Sequence, residues 1–417
     1  MEANGSLVVG YGQPMNTPQF DVVVYGATGF AGALTAEYLQ DTVGAEVRWA
    51  VAGRSEDKLK RLVSELAERR PSAPPVAYIV ADSTDRASLD ALVAQTKVVC
   101  TTVGPYAQYG AELVAAAAAA GTHYCDLTGE PQFVRRMVDA HHAEAQQSGA
   151  RIVHCAGFDS IPSDLGTLVV QTAAIEADGE PCDEVEFVLL GGKGGFSGGT
   201  LASLINVVAE AKDPAVRRVL ADPYSLCEGS GSDIREQMGV RYSGAAKAWT
   251  GPFLMAGINE RVVRRSNELL SHRYGTGFRY GESMRTGRGI TGWTAAAAMA
   301  GGFGVMMPAL FIGPVRRLIS RFLTQPGDGP SRDDIENGFF KARVYAKRNG
   351  KVVHTVTVTG SQDPGYGATA CMLAETALGL AAGQGLGEPG VTTPAAALGM
   401  GLVERLNAHR VTFTLED

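Results

Sequence analysis

The chain has 417 residues, 45% hydrophobic and 19% charged, and its 44 acidic against 37 basic side chains leave a formal charge of −7 at pH 7. Such a length and apolar fraction lead us to expect two domains with substantial cores, and the negative balance excludes a general nucleic-acid binder, which must neutralise phosphates. Six cysteines form no C-x-x-C pair and no zinc spacing with the seven histidines, so reduced thiols and no metal site are expected.

Residues 1–17 have neither a basic start nor an apolar run sufficient for a secretory signal, and read as a loose tail on a cytoplasmic protein. A first strand near 21–25 then runs into Gly26-Ala27-Thr28-Gly29-Phe30-Ala31-Gly32 at the opening of a helical pattern. Gly26 permits the tight turn, Gly29 lets backbone approach a pyrophosphate, and Gly32 lets the helix pack closely. The helix N-terminus presents unpaired N–H groups and a positive dipole end to the phosphates.

The second strand, 46–52, ends in Gly53-Arg54-Ser55, roughly 20 residues beyond the glycines, where a ribose-binding residue belongs. Arg54 cannot accept a bond from an NAD ribose, but its fork can grip a 2′-phosphate and lie flat on adenine. NADP(H) is therefore expected over NAD, with Lys58 as a second positive charge. Ser55 is the expected N-cap of a helix that carries Leu59, Leu62, Val63 and Leu66 at helical spacing. Asp82, just past a third strand at 76–80, either meets the adenine or caps a helix from Thr84.

A fourth strand at 97–103 includes Thr102, and the loop Val103-Gly104-Pro105-Tyr106 should pass over the cofactor. Tyr106 or Tyr109 could donate a proton, stack, or pack a helix start. A helix at 111–120, a strand at 122–126, a helix at 130–147 and a sixth strand at 151–156 follow. This alternation implies a Rossmann-type, doubly wound parallel sheet with ligands at the carboxyl ends of its strands. Past the sixth strand, Asp159 and Ser160 are catalytic candidates, whereas Ser163 and Asp164 read as helix caps beside Pro162. Asp126 and Glu130 read as a polar wall or helix start, and no histidine stands beside an acid as a triad would require.

Beyond residue 160 the rhythm changes to Gly-rich loops, a strand near 184–191 and a helix at 199–211. A hairpin follows, 339–347 and 351–359 around Asn349-Gly350, a type I′ signal. Helices at 366–382 and 393–408 and a strand at 411–415 close the chain. We expect a nucleotide domain over 1–165, completed by 365–417, and an α+β substrate or lipid domain over 166–364 with a mixed or antiparallel sheet. Residues 289–315 carry no charge, a run longer than the roughly 20 residues of a membrane span. Six glycines, Pro308 and Pro314 weaken a continuous helix there. Residues 315–323 put Val315, Leu318, Ile319, Phe322 and Leu323 on one helical face and Arg316, Arg317 and Arg321 on the other. A buried segment between domains heads the readings of 289–323, ahead of peripheral contact with the inner face of the plasma membrane and of a true span.

Tyr-Gly-Ala-Thr-Gly-Phe-Ala-Gly (25–32), Thr-Val-Gly-Pro-Tyr (102–106), His-Tyr-Cys-Asp-Leu-Thr-Gly-Glu (123–130) and Gly-Phe-Asp-Ser-Ile-Pro-Ser-Asp (157–164) together resemble the saccharopine dehydrogenase-like oxidoreductases. Within that group, Lys-Gly-Gly-Phe-Ser-Gly-Gly-Thr (193–200), Arg-Val-Val-Arg-Arg-Ser-Asn (261–267), Asp-Pro-Gly-Tyr (363–366) and Thr-Pro-Ala-Ala-Ala-Leu-Gly (393–399) resemble the mycobacterial trans-acting enoyl reductases. The resemblance implies an NADPH-dependent reductase of a carbon–carbon double bond in a long acyl or polyketide chain, presented by a synthase or carrier. It also implies that the last helices return to the nucleotide domain. Two alternatives stay open. A saccharopine-type C–N oxidoreductase would need paired cations for a carboxylate, for which Arg261, Arg264 and Arg265 are the nominees. A non-catalytic, nucleotide-binding lipid scaffold is disfavoured by the intact glycines and Arg54.

Overall fold

The computed structural model describes residues 18–194, 198–229, 236–316, 329–383 and 385–416. From the amino end, β1 (Phe20–Tyr25), α1 (Phe30–Thr42), β2 (Trp49–Gly53), α2 (Glu56–Arg69), β3 (Ala77–Val80), α3 (Arg86–Val93) and β4 (Thr96–Thr101) alternate strand with helix. The short α4 (Tyr106–Tyr109), α5 (Ala111–Ala120), β5 (His123–Asp126), α6 (Pro131–Ser148) and β6 (Arg151–Val153) continue the pattern, and α7 (Ile161–Asp178) leads out of it. Next come β7 (Glu184–Lys193), α8 (Gly198–Glu210), α9 (Pro214–Ala221), β8 (Arg241–Ser243), β9 (Ala248–Gly251), α10 (Ala256–Leu269), β10 (Arg279–Gly287) and α11 (Gly289–Phe311). The chain ends with α12 (Arg332–Glu336), β11 (Phe339–Arg348), β12 (Lys351–Gly360), α13 (Gly367–Ala382), β13 (Gly390–Thr392), α14 (Pro394–Asn407) and β14 (Val411–Glu416).

The first sheet runs β13-β6-β5-β4-β1-β2-β3 with every pair parallel. Its central strands are apolar throughout because helices cover both faces: Val22, Val23, Val24, Ala50 and Val51 are fully buried. The strand order reverses between β1 and β4, and at such a switch point a crevice opens at the carboxyl ends of the strands. Tyr25, the last residue of β1, lies in register with Thr101 on one side and Ala52 on the other. The three-residue β13 extends the sheet beyond the six expected strands. It is too short to carry a period and enters from Gly390, at φ +133°.

The second sheet, β14-β12-β11-β7-β10-β9-β8, is mixed: β7 and β10 are parallel and the other pairs antiparallel. Asn349 and Gly350 both take positive φ, +51° and +75°, as a type I′ turn requires. The chain crosses between the sheets more than once. Helix α13 packs on β1, β4, β5 and α1, whereas β14 pairs with β12 in the second sheet.

The apolar stretch from Gly289 differs from the expectation on two counts. It is one helix of 23 residues that continues through Pro308, and it is not a buried segment: only Gly292, Ala296 and Leu310 are buried within it. One face lies on β9 and β10, with Gly292 set so close to Gly287 that a Cβ there would come within 2.3 Å of its carbonyl carbon, and the opposite face is left to solvent. The amphipathic pattern expected over 315–323 falls, from residue 317 onward, outside the described residues.

Candidate active site

The glycine turn after β1 is built as its spacing predicts. Gly26 sits at φ +85°, and a Cβ there would come within 2.7 Å of Val103 Cγ2. A Cβ on Gly32 would lie 2.3 Å from the Gly26 carbonyl oxygen and 2.8 Å from Ala27 Cα, so only glycine lets α1 rest on the turn. Gly29 is the N-cap residue of α1. Together with Thr28 and Phe30 it opens onto a cavity of about 1280 Å³. Thr102 donates its hydroxyl hydrogen to the Gly26 carbonyl at 3.2 Å and ties the end of β4 to the turn. The first turn of α1 carries no acidic side chain, so its N–H groups are unopposed toward an anion.

Arg54, Ser55 and Lys58 line the same cavity. Arg54 and Lys58 are exposed, and among the described residues neither makes an ion pair or side-chain hydrogen bond, so both are free for a phosphate. Ser55 is the N-cap residue of α2, though its hydroxyl makes no capping bond. Asp82 stands elsewhere. Its Oδ1 accepts from Thr84 N and Oγ1, it is absent from the cavity wall, and the next helix is capped by Asp85. A carboxylate that closes its own turn in this way is a local brace, and the neighbouring Ser83 lines the cavity instead.

Across the crevice, Gly104 and Pro105 form the opposite lip. Glu130 holds that lip. Its carboxylate accepts from Tyr106 N at 2.9 Å, Ala107 N at 3.1 Å, Ser203 Oγ at 2.9 Å and Asn206 Nδ2 at 3.4 Å, which clasps α8 to α4. Burial raises its pKa despite those donors.

Two of the catalytic candidates spend their hydroxyls on partners within the protein, although Tyr106 also lines the cavity. The Tyr106 hydroxyl donates to Thr101 O and accepts from Leu127 N, and burial drives its pKa well above the usual phenol range, so it has no hydrogen to give a ligand. Ser160 is fully buried and donates to Asn259 Oδ1 at 2.9 Å, away from the cavity. Asp164 accepts from Ser266 Oγ and Ala395 N, tying α7 to α10 and α14 instead of capping its own helix.

Asp159 is different. It is partly exposed, and it lines the cavity. Loss of solvation raises its pKa to about 7. Among the described residues its carboxyl has no hydrogen-bond partner, and the nearest glycine wall is Gly129, whose ideal Cβ would lie 3.7 Å from Oδ2. Beyond it the wall turns apolar: Leu189, Leu204, Phe253, Met255, Ile258 and Met284, all from the chain that follows α7.

An acid–histidine pair escaped the sequence reading. Asp126 Oδ2 lies 2.8 Å from His154 Nδ1 and accepts from the Tyr124 hydroxyl at 2.8 Å, with Thr128 N and Cys155 N on Oδ1. The residues are 28 apart in the chain, and only adjacency of β5 and β6 in the sheet brings them together. His154 is 2% exposed and does not line the cavity, so the group braces the site floor. The arginine cluster is equally committed. Arg261 donates to Leu220 O, Asp222 O, Gly257 O and Ser225 Oγ, Arg265 to Leu226 O and Val391 O, and Arg264 to Glu260 and Tyr280 O. No paired cations remain there for a substrate carboxylate.

Residues 22–153 match the family model of the saccharopine dehydrogenase NADP binding domain. A Mycobacterium tuberculosis protein named a trans-acting enoyl reductase is 39% identical over 406 residues, 93% of this chain and 96% of its own. The chain belongs to the trans-acting enoyl reductase family. Another M. tuberculosis member, provisionally given the same name, is 42% identical over 410 residues, 94% of this chain and 97% of its own. The M. leprae member is 38% identical over 409 residues, 93% and 96% of the two chains. Saccharopine dehydrogenase (L-Glu forming) from Saccharomyces cerevisiae superposes with a TM-score of 0.51, covering 95% of this chain and 99% of its own, at 12% identity. That neighbour shows the fold. This trans-acting enoyl reductase family member is an NADP(H)-dependent oxidoreductase, and its residues fit the dinucleotide: a turn with no room for a Cβ, an unopposed helix N-terminus and a free guanidinium at the mouth.

Proposed function

We propose that this chain reduces the α,β double bond of a long acyl or polyketide thioester with NADPH, and that Asp159 delivers the proton. The observation that carries the reading is a carboxyl group whose pKa burial raises to about 7 and that has no hydrogen-bond partner among the described residues, set between the glycine cradle and an apolar wall in one cavity. Cavities for a single small ligand run to about 1000 Å³, so 1280 Å³ accommodates a dinucleotide and part of a second molecule. Gly26, Gly29 and Gly32 would hold the pyrophosphate, Arg54 and Lys58 the 2′-phosphate, and Thr102, Gly104 and Pro105 the lip over the nicotinamide.

When bound, NADPH supplies a hydride. The chain's own residues do the rest. The apolar wall orients the acyl tail and excludes water, which strengthens every polar interaction inside. Asp159, whose pKa burial raises to about 7, holds the proton that the α-carbon needs once the β-carbon is reduced. The Glu130 clasp keeps α8 and the Gly104–Pro105 lip together over the reacting end. The synthase or carrier that presents the acyl chain belongs to this proposal. It rests on the trans-acting name carried by the relatives.

The test is NADPH oxidation by purified protein with trans-2-enoyl thioesters of increasing chain length, beside saccharopine as the C–N substrate. Turnover that rises with chain length supports the proposal. Turnover of saccharopine alone, or of neither class despite tight NADPH binding, overturns it.

A further inference from the structure

We propose that α11, together with the β8–β9 hairpin beside it, is the surface by which the protein lies on an anionic lipid bilayer. Ile290, Ala298, Gly301, Val305, Pro308 and Ile312 recur at steps of three, four or eight residues along the helix and are all exposed. Ile290 and Val305 show 72% and 73% of their surface. At 1.5 Å per residue this makes an apolar ridge roughly 35 Å long, far beyond a scatter of single exposed apolar side chains.

Charge chooses the occupant. Residues 283–316 contain Arg285, Arg288 and Arg316 without one acid, and residues 237–259 contain Arg241 and Lys247 without one acid, in a chain whose net charge is −7. Arg285, Arg288, Arg241 and Lys247 belong to the end of β10, the N-cap of α11 and the hairpin that packs against it. Half-exposed Trp293 and Tyr242 add aromatic rings of the kind that sit at headgroup depth, Tyr242 edge-on to Trp249 at 5.4 Å. An apolar ridge flanked by cations and aromatic rings matches a leaflet of negative headgroups over acyl chains. A second copy of the chain meeting this face through a two-fold axis would set cations against cations. A span is excluded by attachment: Met299 packs on Gly251 near the middle of the helix, and Gly292, Ala296 and Leu310 hold one side on the protein. This inference does not depend on the reaction proposed above.

The experiment is flotation of the full chain with phosphatidylcholine vesicles with and without phosphatidylglycerol. Flotation on the anionic vesicles at low salt, largely lost at high salt, is expected. Ile290→Glu or Val305→Glu should each weaken it by about tenfold or more, and Arg288→Gln by about fivefold. NADPH binding, unchanged in all three, serves as the folding control. Three results overturn the proposal: no flotation on anionic vesicles at low salt, flotation indifferent to the glutamate variants, or a dimer in sedimentation that those variants dissociate while flotation stays as it was.

Discussion

Replacing Arg54 with alanine separates the cofactor's two halves energetically. In the structure the guanidinium is exposed, lines the cavity just past the end of β2, and makes no hydrogen bond or ion pair among the described residues, its charge helping to hold the Asp82 carboxyl low. Folding stability should therefore change by less than about 0.5 kcal/mol, the usual range for a surface position. A charge-assisted hydrogen-bonded pair with a phosphate is worth about 1.5–3 kcal/mol, and exposure places this one at the lower end. At about 1.4 kcal/mol per decade, the dissociation constant for NADPH should rise about 10- to 30-fold. NADH lacks the 2′-phosphate and should shift by less than about twofold. Nicotinamide fluorescence titrations of both nucleotides against both proteins make the measurement. Equal weakening of NADPH and NADH, or no weakening of NADPH, would refute the assignment of Arg54 to the 2′-phosphate. Added salt should narrow the difference between the proteins, because the pair is open to screening.

Gly32→Ala pushes a Cβ against two backbone atoms that cannot rotate away, so it should cost about 3 kcal/mol and abolish nucleotide binding; an unchanged thermal midpoint would contradict the packing argument. Asp159→Asn should lower kcat/KM by about 10²- to 10⁴-fold. The native enzyme should lose rate as pH rises through about 7, and the variant should not. The stability sign follows from the same shift. The folded pKa lies above the ordinary 3.8, so the native chain loses stability relative to Asp159→Asn as pH rises from about 4 to beyond 7. Parallel melting curves across that range, with no divergence, would count against the raised pKa. Glu130→Ala strands two backbone N–H groups, Ser203 and Asn206, at about 1–3 kcal/mol for each donor left dry. Proteolysis within α8 should quicken, and a cleavage rate equal to the native one would show that the clasp holds nothing.

The sequence by itself determined what depends on neighbours along the chain. The positive φ of Gly26 and the steric demand at Gly32 are local, because a turn and the helix that follows it must clear each other within seven residues; the closeness of Val103 to Gly26 is not. Alternation of apolar strands with helical patterns specified the parallel sheet, and Asn349-Gly350 specified the hairpin, since both follow from backbone geometry at short range. Arg54 was legible because the end of the second strand in this fold is always near the adenosine ribose. Tertiary structure decided the rest. Which hydroxyls and carboxyls are free depends on partners far away in the chain: Tyr106 is taken by Leu127, Ser160 by Asn259, and the arginines of α10 by carbonyl groups up to 126 residues distant. The Asp126–His154 pair needed two strands to become neighbours. The apolar stretch from Gly289 carries no mark of which side of it meets protein, since burial is a property of what packs against a segment and not of its own composition. Only the folded chain leaves Asp159 without a hydrogen-bond partner among the described residues of the crevice, and α11 bare on the outside.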